Sequence, residues 1–163
     1  MKQFEIISLI KECSLEELNE LDRKLVEAAK EATRRAYAPF SGYKVGAAIL
    51  MDNSKIVEGS NQENAAYPSG TCAERTAAFY ASSANPGMAF KKLAIAAWMD
   101  PGQDKDWEEG FQNQPVSPCG GCRQALLEYE HLYGDIEVIL YGRNKTYILP
   151  SIKSLLPLAF TDF

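Results

Sequence analysis

Three cysteines in two separated segments constrain how this chain can fold. Cys72 opens the run Cys72-Ala73-Glu74, and Cys119 and Cys122 form a Cys-x-x-Cys pair directly after Pro118. Three thiolates can close three corners of a zinc tetrahedron and leave the fourth open, as in catalytic sites, whereas structural sites fill all four corners from the protein. If one zinc ion takes all three thiols, the fold must bring the two segments together.

Glu74 lies two residues after Cys72, close enough to exchange protons at the open corner. On its own, a Cys-x-x-Cys pair is no more typical of a catalytic zinc site than of a redox pair or of half a structural zinc site. The added Cys-x-Glu segment favours one catalytic Zn²⁺ per chain, with Cys72, Cys119 and Cys122 as ligands. Zinc-dependent nucleobase deaminases share this order of His or Cys, x, Glu and then Pro-Cys-x-x-Cys.

The predicted helices place thiols at their starts. Cys72 begins the second predicted helix and Cys119 the third. Helix N-termini carry partial positive charge, which stabilises a thiolate. Three thiolates and one Zn²⁺ still leave an excess negative charge that makes bound water less acidic. Arg75 is placed to offset that charge; the alternative is an ordinary arginine on a helix surface.

Two other potential ligands lie outside this pattern. Cys13 precedes the first predicted helix and has no partner at short spacing, so we interpret it as a small, partly buried side chain. His131 is the only histidine and falls at the end of the third predicted helix, where a cation suits the helix dipole. We therefore expect a structural or surface role for His131.

Hydrophobic periodicity and turn residues predict an αββαβαββ order, with a mixed sheet flanked by helices. Ser14 and Glu17 resemble a capping box at the start of the first helix. Polar turn residues at 52–54 predict a hairpin between the first two strands. The predicted helices are 15–36, 72–83, 120–130 and a short one from 151 to before Pro157; the predicted strands are 45–51, 55–59, 93–99, 136–141 and 146–149.

Length and charge limit the possible functions. The 163 residues suit a single domain spanning 1–163, and the net charge of −5, without a block of five basic residues, disfavours a DNA or RNA partner. A small, roughly neutral substrate fits better. No apolar run approaches the roughly 20 residues that span a bilayer, and no signal-peptide core is visible near Met1. We expect a cytoplasmic protein without a membrane partner.

Six ordered motifs extend this pattern along the chain. They are Tyr37-Ala38-Pro39-Phe40-Ser41-Gly42-Tyr43, Val45-Gly46-Ala47-Ala48, Asn61-Gln62-Glu63-Asn64-Ala65-Ala66-Tyr67-Pro68, Cys72-Ala73-Glu74-Arg75-Thr76-Ala77, Pro118-Cys119-Gly120-Gly121-Cys122-Arg123-Gln124 and Leu155-Leu156-Pro157-Leu158-Ala159-Phe160. Together, over roughly residues 25–160, they resemble the small, homotetrameric cytidine deaminases of pyrimidine salvage. The resemblance implies an α/β protein with the three-layer α/β/α cytidine-deaminase-like fold and a mixed five-stranded sheet.

The resemblance also implies an activity and a site. The activity is hydrolytic deamination of cytidine and deoxycytidine to uridine and deoxyuridine, with release of ammonia and Glu74 as the proton shuttle. Asn61 and Glu63 would bind the ribose, and Tyr43 and Ala73 would belong to the same substrate site. Phe160 would reach the base from a neighbouring subunit of the homotetramer.

The chain departs from the family pattern at several places. Tyr43 stands where the family usually has Phe, and Gly121 replaces the usual Ala. The loop 100–118 is longer than typical, and the N-terminal extension 1–13 has no usable counterpart. A blasticidin-type deaminase of modified cytosine nucleosides is the nearest alternative. A polynucleotide-editing deaminase and a non-catalytic structural zinc module are the others.

Overall fold

One mixed sheet carries the fold. The computed structural model describes residues 1–161, and its strand order is β1-β6-β5-β4-β2-β3. Strands β4 and β5 run parallel, and every other neighbouring pair is antiparallel. The strands are β1 Lys11–Cys13, β2 Lys44–Met51, β3 Ile56–Ser60, β4 Phe90–Trp98, β5 Glu137–Leu140 and β6 Thr146–Leu149.

In the described part of the chain, three α-helices cover the sheet, and short 3₁₀ turns join the elements. None of the helices within residues 1–161 has the length and apolar composition needed to cross a bilayer. The α-helices are α1 Glu20–Ala32, α2 Ala73–Ala84 and α3 Gly120–Tyr133, and the 3₁₀ turns are Thr33–Arg35, Tyr67–Ser69, Trp107–Gly110 and Ile152–Leu155.

The helices pack on both faces, which confirms the expected three-layer α/β arrangement. Strand β2 shows why both faces are covered. Successive side chains of a strand point to opposite faces, and those of β2 are apolar on both. Ala48 packs in the cluster that contains Leu25 of α1, on one face. Ala47 and Ile49 pack on the other face, in the cluster that contains Ala77 of α2.

Glycines allow two helices to approach the sheet closely. A Cβ atom on Gly46 would lie 2.8 Å from the backbone nitrogen of Thr33, just after α1. A Cβ atom on Gly59 in β3 would lie 2.7 Å from the carbonyl oxygen of Ala73. Both distances are too short for a side chain to fit. The N-terminal end of α2, where Ala73 lies, therefore packs directly against β3.

Within residues 1–161 the sheet has six strands, one more than the expected five. The additional strand is β1, which pairs antiparallel with β6, Lys11 opposite Ile148 and Cys13 opposite Thr146. Three residues are too few to show an alternating pattern, and their partner strand lies far along the chain. The predicted N-terminal extension 1–13 therefore contributes an edge strand.

The first helix begins later than predicted. Asn19 is its N-cap, and the Asn19 side chain accepts the Asp22 N–H at 2.9 Å. The Ser14 N–H does donate to Glu17 at 2.7 Å, but this contact closes a turn that precedes the helix. The prediction of Ser14 as the N-cap was thus wrong, because half of the capping-box pattern forms without a helix.

The remaining predicted elements are close to the observed ones. The β2–β3 hairpin is closed by the Met51 N–H, which donates to the Lys55 carbonyl at 2.8 Å, and Ser54 adopts φ 66°. Helix α3 continues to Tyr133, and the last predicted helix is a single 3₁₀ turn at Ile152–Leu155.

A buried carboxylate fixes the last turn of α3. Glu130 is 1% exposed and accepts three backbone N–H groups. These belong to Ile136 at 3.0 Å, Ile152 at 2.6 Å and Lys153 at 3.0 Å. The side chain thereby joins α3 to the start of β5 and to the C-terminal 3₁₀ turn.

A buried lysine ties the loop 100–118 to α1. Lys30 is 3% exposed, and its Nζ lies 3.0 Å from carboxylate oxygens of Glu27 and Glu108. The same ammonium lies between 5.2 and 5.8 Å from the centroids of three aromatic rings, those of Trp107, Phe111 and Tyr141. Cation–π attraction and two carboxylates offset the cost of burying this charge.

Candidate functional site

The three cysteines singled out in the sequence form one cluster. Cys72 is the N-cap of α2, Cys119 is the N-cap of α3, and Cys122 lies in the first turn of α3. The Cys72 and Cys119 Sγ atoms are 3.8 Å apart, and those of Cys119 and Cys122 are 3.5 Å apart. All three Sγ atoms lie within 4.8 Å of one another.

This spacing fits a zinc ion. Tetrahedral Zn–S bonds of about 2.3 Å place two sulfur ligands roughly 3.8 Å apart. Cys122 is buried, Cys72 is partly buried and Cys119 is exposed. The cluster therefore offers three protein ligands and faces solvent on the Cys119 side, where a catalytic site leaves a position for water or substrate.

Cys13 and His131 do not belong to this cluster within the described residues. Cys13 lies in β1, with its Sγ 3.9 Å from the Thr146 carbonyl oxygen. His131 is exposed in the last turn of α3, at the end opposite the thiols. Both positions agree with the structural interpretation of these two residues.

The thiols differ in acidity before a metal binds. Hydrogen bonding from Cys122, followed by that from Arg75 and Cys119, lowers the pKa of Cys72 to about 5 despite partial burial. The same contact with Cys72, together with burial and the Glu74 charge, raises the pKa of Cys122. These opposite shifts favour a thiolate at Cys72 and a thiol at Cys122, and metal binding would require release of the remaining proton.

Arg75 lies against the thiol cluster. Its Nη2 is 3.7 Å from the Cys72 Sγ, and this contact raises the pKa of the guanidinium. Its Nε is buried and has no hydrogen-bond partner among residues 1–161. The guanidinium thus lies close enough for its positive charge to offset the thiolate charge, and that role stays a prediction.

Glu74 occupies the first turn of α2, beside the cluster. The residue is 4% exposed, and burial together with the charge of Cys72 raises the pKa of its carboxyl group. A raised pKa moves the proton equilibrium of the carboxyl group toward neutral pH, which favours general acid–base catalysis.

A cavity of about 350 Å³ adjoins these groups. Its walls join the starts of α2 and α3 to residues in or next to β2, β3 and β4. A second hollow of about 290 Å³ shares Asn61, Glu63 and Cys72 with it and reaches Arg75. The first cavity brings together most of the predicted site residues: Tyr43, Asn61, Glu63, Cys72, Ala73, Glu74 and Cys119.

Five further residues line this cavity and were not predicted. Ser41 and Val45 lie in motifs already noted, so their positions in the sequence were a usable signal. Val116 and Ser117 directly precede Pro118-Cys119, but nothing in their residue types marks them. Ile95 is a central residue of β4, and its sequence pattern is that of any core strand. The five are Ser41, Val45, Ile95, Val116 and Ser117.

Asn61 links β2 to the residues that follow β3. Its Oδ1 accepts the Val45 N–H at 2.8 Å, and its Nδ2 donates to the Tyr43 carbonyl at 2.9 Å. The amide therefore fixes the strand end that carries Tyr43. Burial raises the pKa of the Tyr43 hydroxyl.

Glu63 is held by the loop that precedes β2. Its carboxylate accepts the N–H groups of Phe40 at 2.8 Å and Ser41 at 3.3 Å, and also the Ser41 hydroxyl. These contacts, Ser41 first, lower the pKa of Glu63, so the carboxylate stays charged.

Phe160 does not line the cavity of its own chain. Its ring is 65% exposed, and its carbonyl oxygen accepts a hydrogen bond from Gln124 at 2.8 Å. The structure brings every other predicted substrate residue together, and leaves this one at the C-terminal surface.

Comparisons with known proteins agree with this geometry. The family model described as the cytidine and deoxycytidylate deaminase zinc-binding region matches residues 19–133. The chain is 39% identical to a cytidine deaminase of Sporosarcina psychrophila over 138 residues, 85% of this chain and 90% of that protein. It is 36% identical to one of Halalkalibacterium halodurans over 151 residues, 86% of this chain and 96% of that protein.

Solved structures show the same similarity. A cytidine deaminase from Burkholderia pseudomallei superposes with a TM-score of 0.67 at 38% identity, over 84% of this chain and 97% of that chain. One from Mycobacterium tuberculosis superposes with a TM-score of 0.64 at 29% identity, over 85% and 96% of the two chains.

Proposed function

The chain belongs to the cytidine and deoxycytidylate deaminase family, and we propose that it is a hydrolase that deaminates cytidine and deoxycytidine in a zinc-dependent reaction. The products are uridine or deoxyuridine and ammonia. The observation that supports this function best is the placement of Glu74, a buried carboxyl group with a raised pKa in the cavity lined by Cys72 and Cys119.

Cys72, Cys119 and Cys122 would hold the zinc ion, and their sulfur spacing fits tetrahedral coordination. Zinc supplies Lewis acidity, which makes a water molecule nucleophilic near neutral pH. Arg75 would offset the negative charge of the three sulfurs, since its guanidinium contacts Cys72.

Glu74 would move the protons of the reaction. Its carboxylate accepts a proton from the attacking water and delivers it to N3 of the pyrimidine as the C4–O bond forms. It then transfers the second proton of that water to the amino group, which leaves as ammonia when the C4–N bond breaks. One carboxylate acts as base and then as acid, which its raised pKa favours.

The remaining cavity residues would bind the nucleoside. Asn61 and Glu63 would bind the sugar, and Tyr43 and Ala73 would line the pyrimidine site. Phe160 would complete the pocket of a neighbouring subunit in a homotetramer, and its 65% exposure at the C-terminal surface is compatible with that role. A cytoplasmic location fits this proposal, because its reducing conditions keep zinc-binding thiols free.

The deciding experiment follows cytidine and deoxycytidine by absorbance, with and without a zinc chelator. We expect turnover of both nucleosides, lost with the chelator and restored by zinc. Cytosine and blasticidin S are run in parallel. Turnover of blasticidin S alone would identify the modified-nucleoside deaminase, and bound zinc without any turnover would identify a structural zinc module.

A further inference from the structure

The carboxylate of Glu63 has most of its acceptor positions filled from within the chain. Oε2 accepts the Phe40 and Ser41 N–H groups at 2.8 and 3.3 Å, and Oε1 accepts the Ser41 hydroxyl. An ionised carboxylate offers about four lone-pair sites. With three donors counted among residues 1–161, one acceptor site remains on Oε1, in a residue that lines the cavity.

The Ser41 hydroxyl is itself oriented. Its Oγ accepts the Tyr43 N–H at 3.0 Å, so its single proton is directed toward Glu63. Gly42, between the two, has φ 68°, a conformation that bulkier residues rarely adopt. The loop therefore presents one hydroxyl donor to one carboxylate oxygen in a defined direction.

We propose that Ser41 is a positioning residue that orients the Glu63 carboxylate toward a hydroxyl group of the nucleoside sugar. A carboxylate with one open acceptor site selects a ligand that donates a hydrogen bond, and a sugar hydroxyl is such a donor. The inference rests on the proposed function, because it assigns the sugar to the side of the cavity that Glu63 lines. It predicts that Ser41 affects sugar binding and leaves proton transfer at Glu74 unchanged.

A purely structural role for Ser41 is the competing explanation. The contacts of Ser41 also brace the loop that carries Tyr43, so its removal could disturb the pocket generally. The two explanations differ in their dependence on the sugar hydroxyls. Loss of a positioned acceptor weakens the binding only of ligands that carry a hydroxyl at that place. A disturbed pocket weakens the binding of every pyrimidine nucleoside.

The test compares cytidine with 2′,3′-dideoxycytidine in Ser41→Ala. For cytidine we expect KM to rise about tenfold, the scale of a hydrogen bond to a charged group, with kcat within about twofold. The Ki of 2′,3′-dideoxycytidine against cytidine should not change. Ser41→Thr, which keeps the hydroxyl, should restore most of the affinity. Ser83→Ala, at an exposed serine in α2, is the matched control and should match the wild type.

A double-mutant cycle identifies the partner of Ser41. In a Glu63→Ala background, Ser41→Ala should cause no further increase in KM, because the group it positions is absent. An additional loss there, or an equal loss for both ligands, would overturn the assignment while the deaminase function stands. Wild-type protein that turns over cytidine but binds it no better than the dideoxy analogue would also overturn it. Wild-type protein that neither binds nor deaminates cytidine would overturn the proposed function itself.

Discussion

Cys72 and Cys119 hold equivalent positions: each is the N-cap of its helix, and their Sγ atoms lie 3.8 Å apart. Two helix N-termini therefore face one metal centre. The partial positive charge at each N-terminus stabilises thiolates, in addition to the contact from Arg75. Helix placement prepares the cluster for a cation before any metal binds.

Zinc retention should depend on the clustered cysteines and not on Cys13. We expect Cys119→Ala to lose bound zinc and all measurable cytidine turnover, because a two-thiol site holds the ion too weakly. Cys13→Ala, in β1, is the matched control and should keep one zinc per chain. Metal analysis of the purified proteins checks both, and zinc retained at full occupancy in Cys119→Ala would contradict the ligand assignment.

Glu74→Gln should separate zinc binding from catalysis. The amide keeps the shape of the side chain but cannot accept a proton, so we expect a fall in kcat of at least about a hundredfold. Zinc content should remain at the wild-type level. Glu128→Gln, on the exposed face of α3, provides the control with unchanged rate. Uridine formation near the wild-type rate in Glu74→Gln would exclude Glu74 as the proton shuttle.

The raised pKa of Glu74 also predicts a pH-dependent stability difference in the zinc-free protein. The folded carboxyl group holds its proton more tightly than the unfolded chain does, so its ionisation disfavours folding as pH rises through the folded pKa. Below the unfolded pKa both states are protonated and the penalty disappears. Glu74→Gln stays neutral, so its Tm should match the wild type near pH 4 and exceed it near pH 8. Thermal unfolding at both pH values measures this, and a difference that shrinks as pH rises would contradict it.

Lys30 should anchor the loop 100–118. Lys30→Met removes the charge shared by Glu27 and Glu108, which are both about half exposed, so we expect a loss of about 1–3 kcal/mol in the free energy of unfolding. The loop should then be cut faster by protease near Lys105. Lys24→Met breaks only an exposed pair with Glu20 and should leave the free energy of unfolding close to the wild-type value. Equal effects of the two substitutions would refute the anchoring role.

The fold was largely predictable because its strong signals are local. The β2–β3 hairpin followed from an apolar run and polar turn residues, and both appear in the structure with small shifts. Strand β1 was missed because its three residues gain their structure from β6, more than a hundred residues away. The start of α1 was misplaced because two cap-like patterns lie five residues apart, and it is the Asn19 side chain that caps the helix.

The candidate site was predictable where residue types alone imply chemistry. Three cysteines at family spacing predicted the thiol cluster, and the glutamate two residues after Cys72 predicted the carboxyl group that lies beside it. The contact of the Ser41 hydroxyl with Glu63 could not be inferred, because it depends on the conformation of one loop. The burial of Lys30 was likewise hidden, since its partner Glu108 joins it only through tertiary packing.

Glu130 helps to fix the position of the thiol cluster, although it lies at the other end of α3. It lies eight residues after Cys122 in α3, about 12 Å along the helix axis. Its three hydrogen bonds to the starts of β5 and of the C-terminal turn resist sliding and rotation of α3. Arg123, next to Cys122, also donates to the Leu155 carbonyl at 2.9 Å. Hydrogen bonds near both ends of α3 thus fix its position, and with it the positions of Cys119 and Cys122 relative to the C-terminal turn.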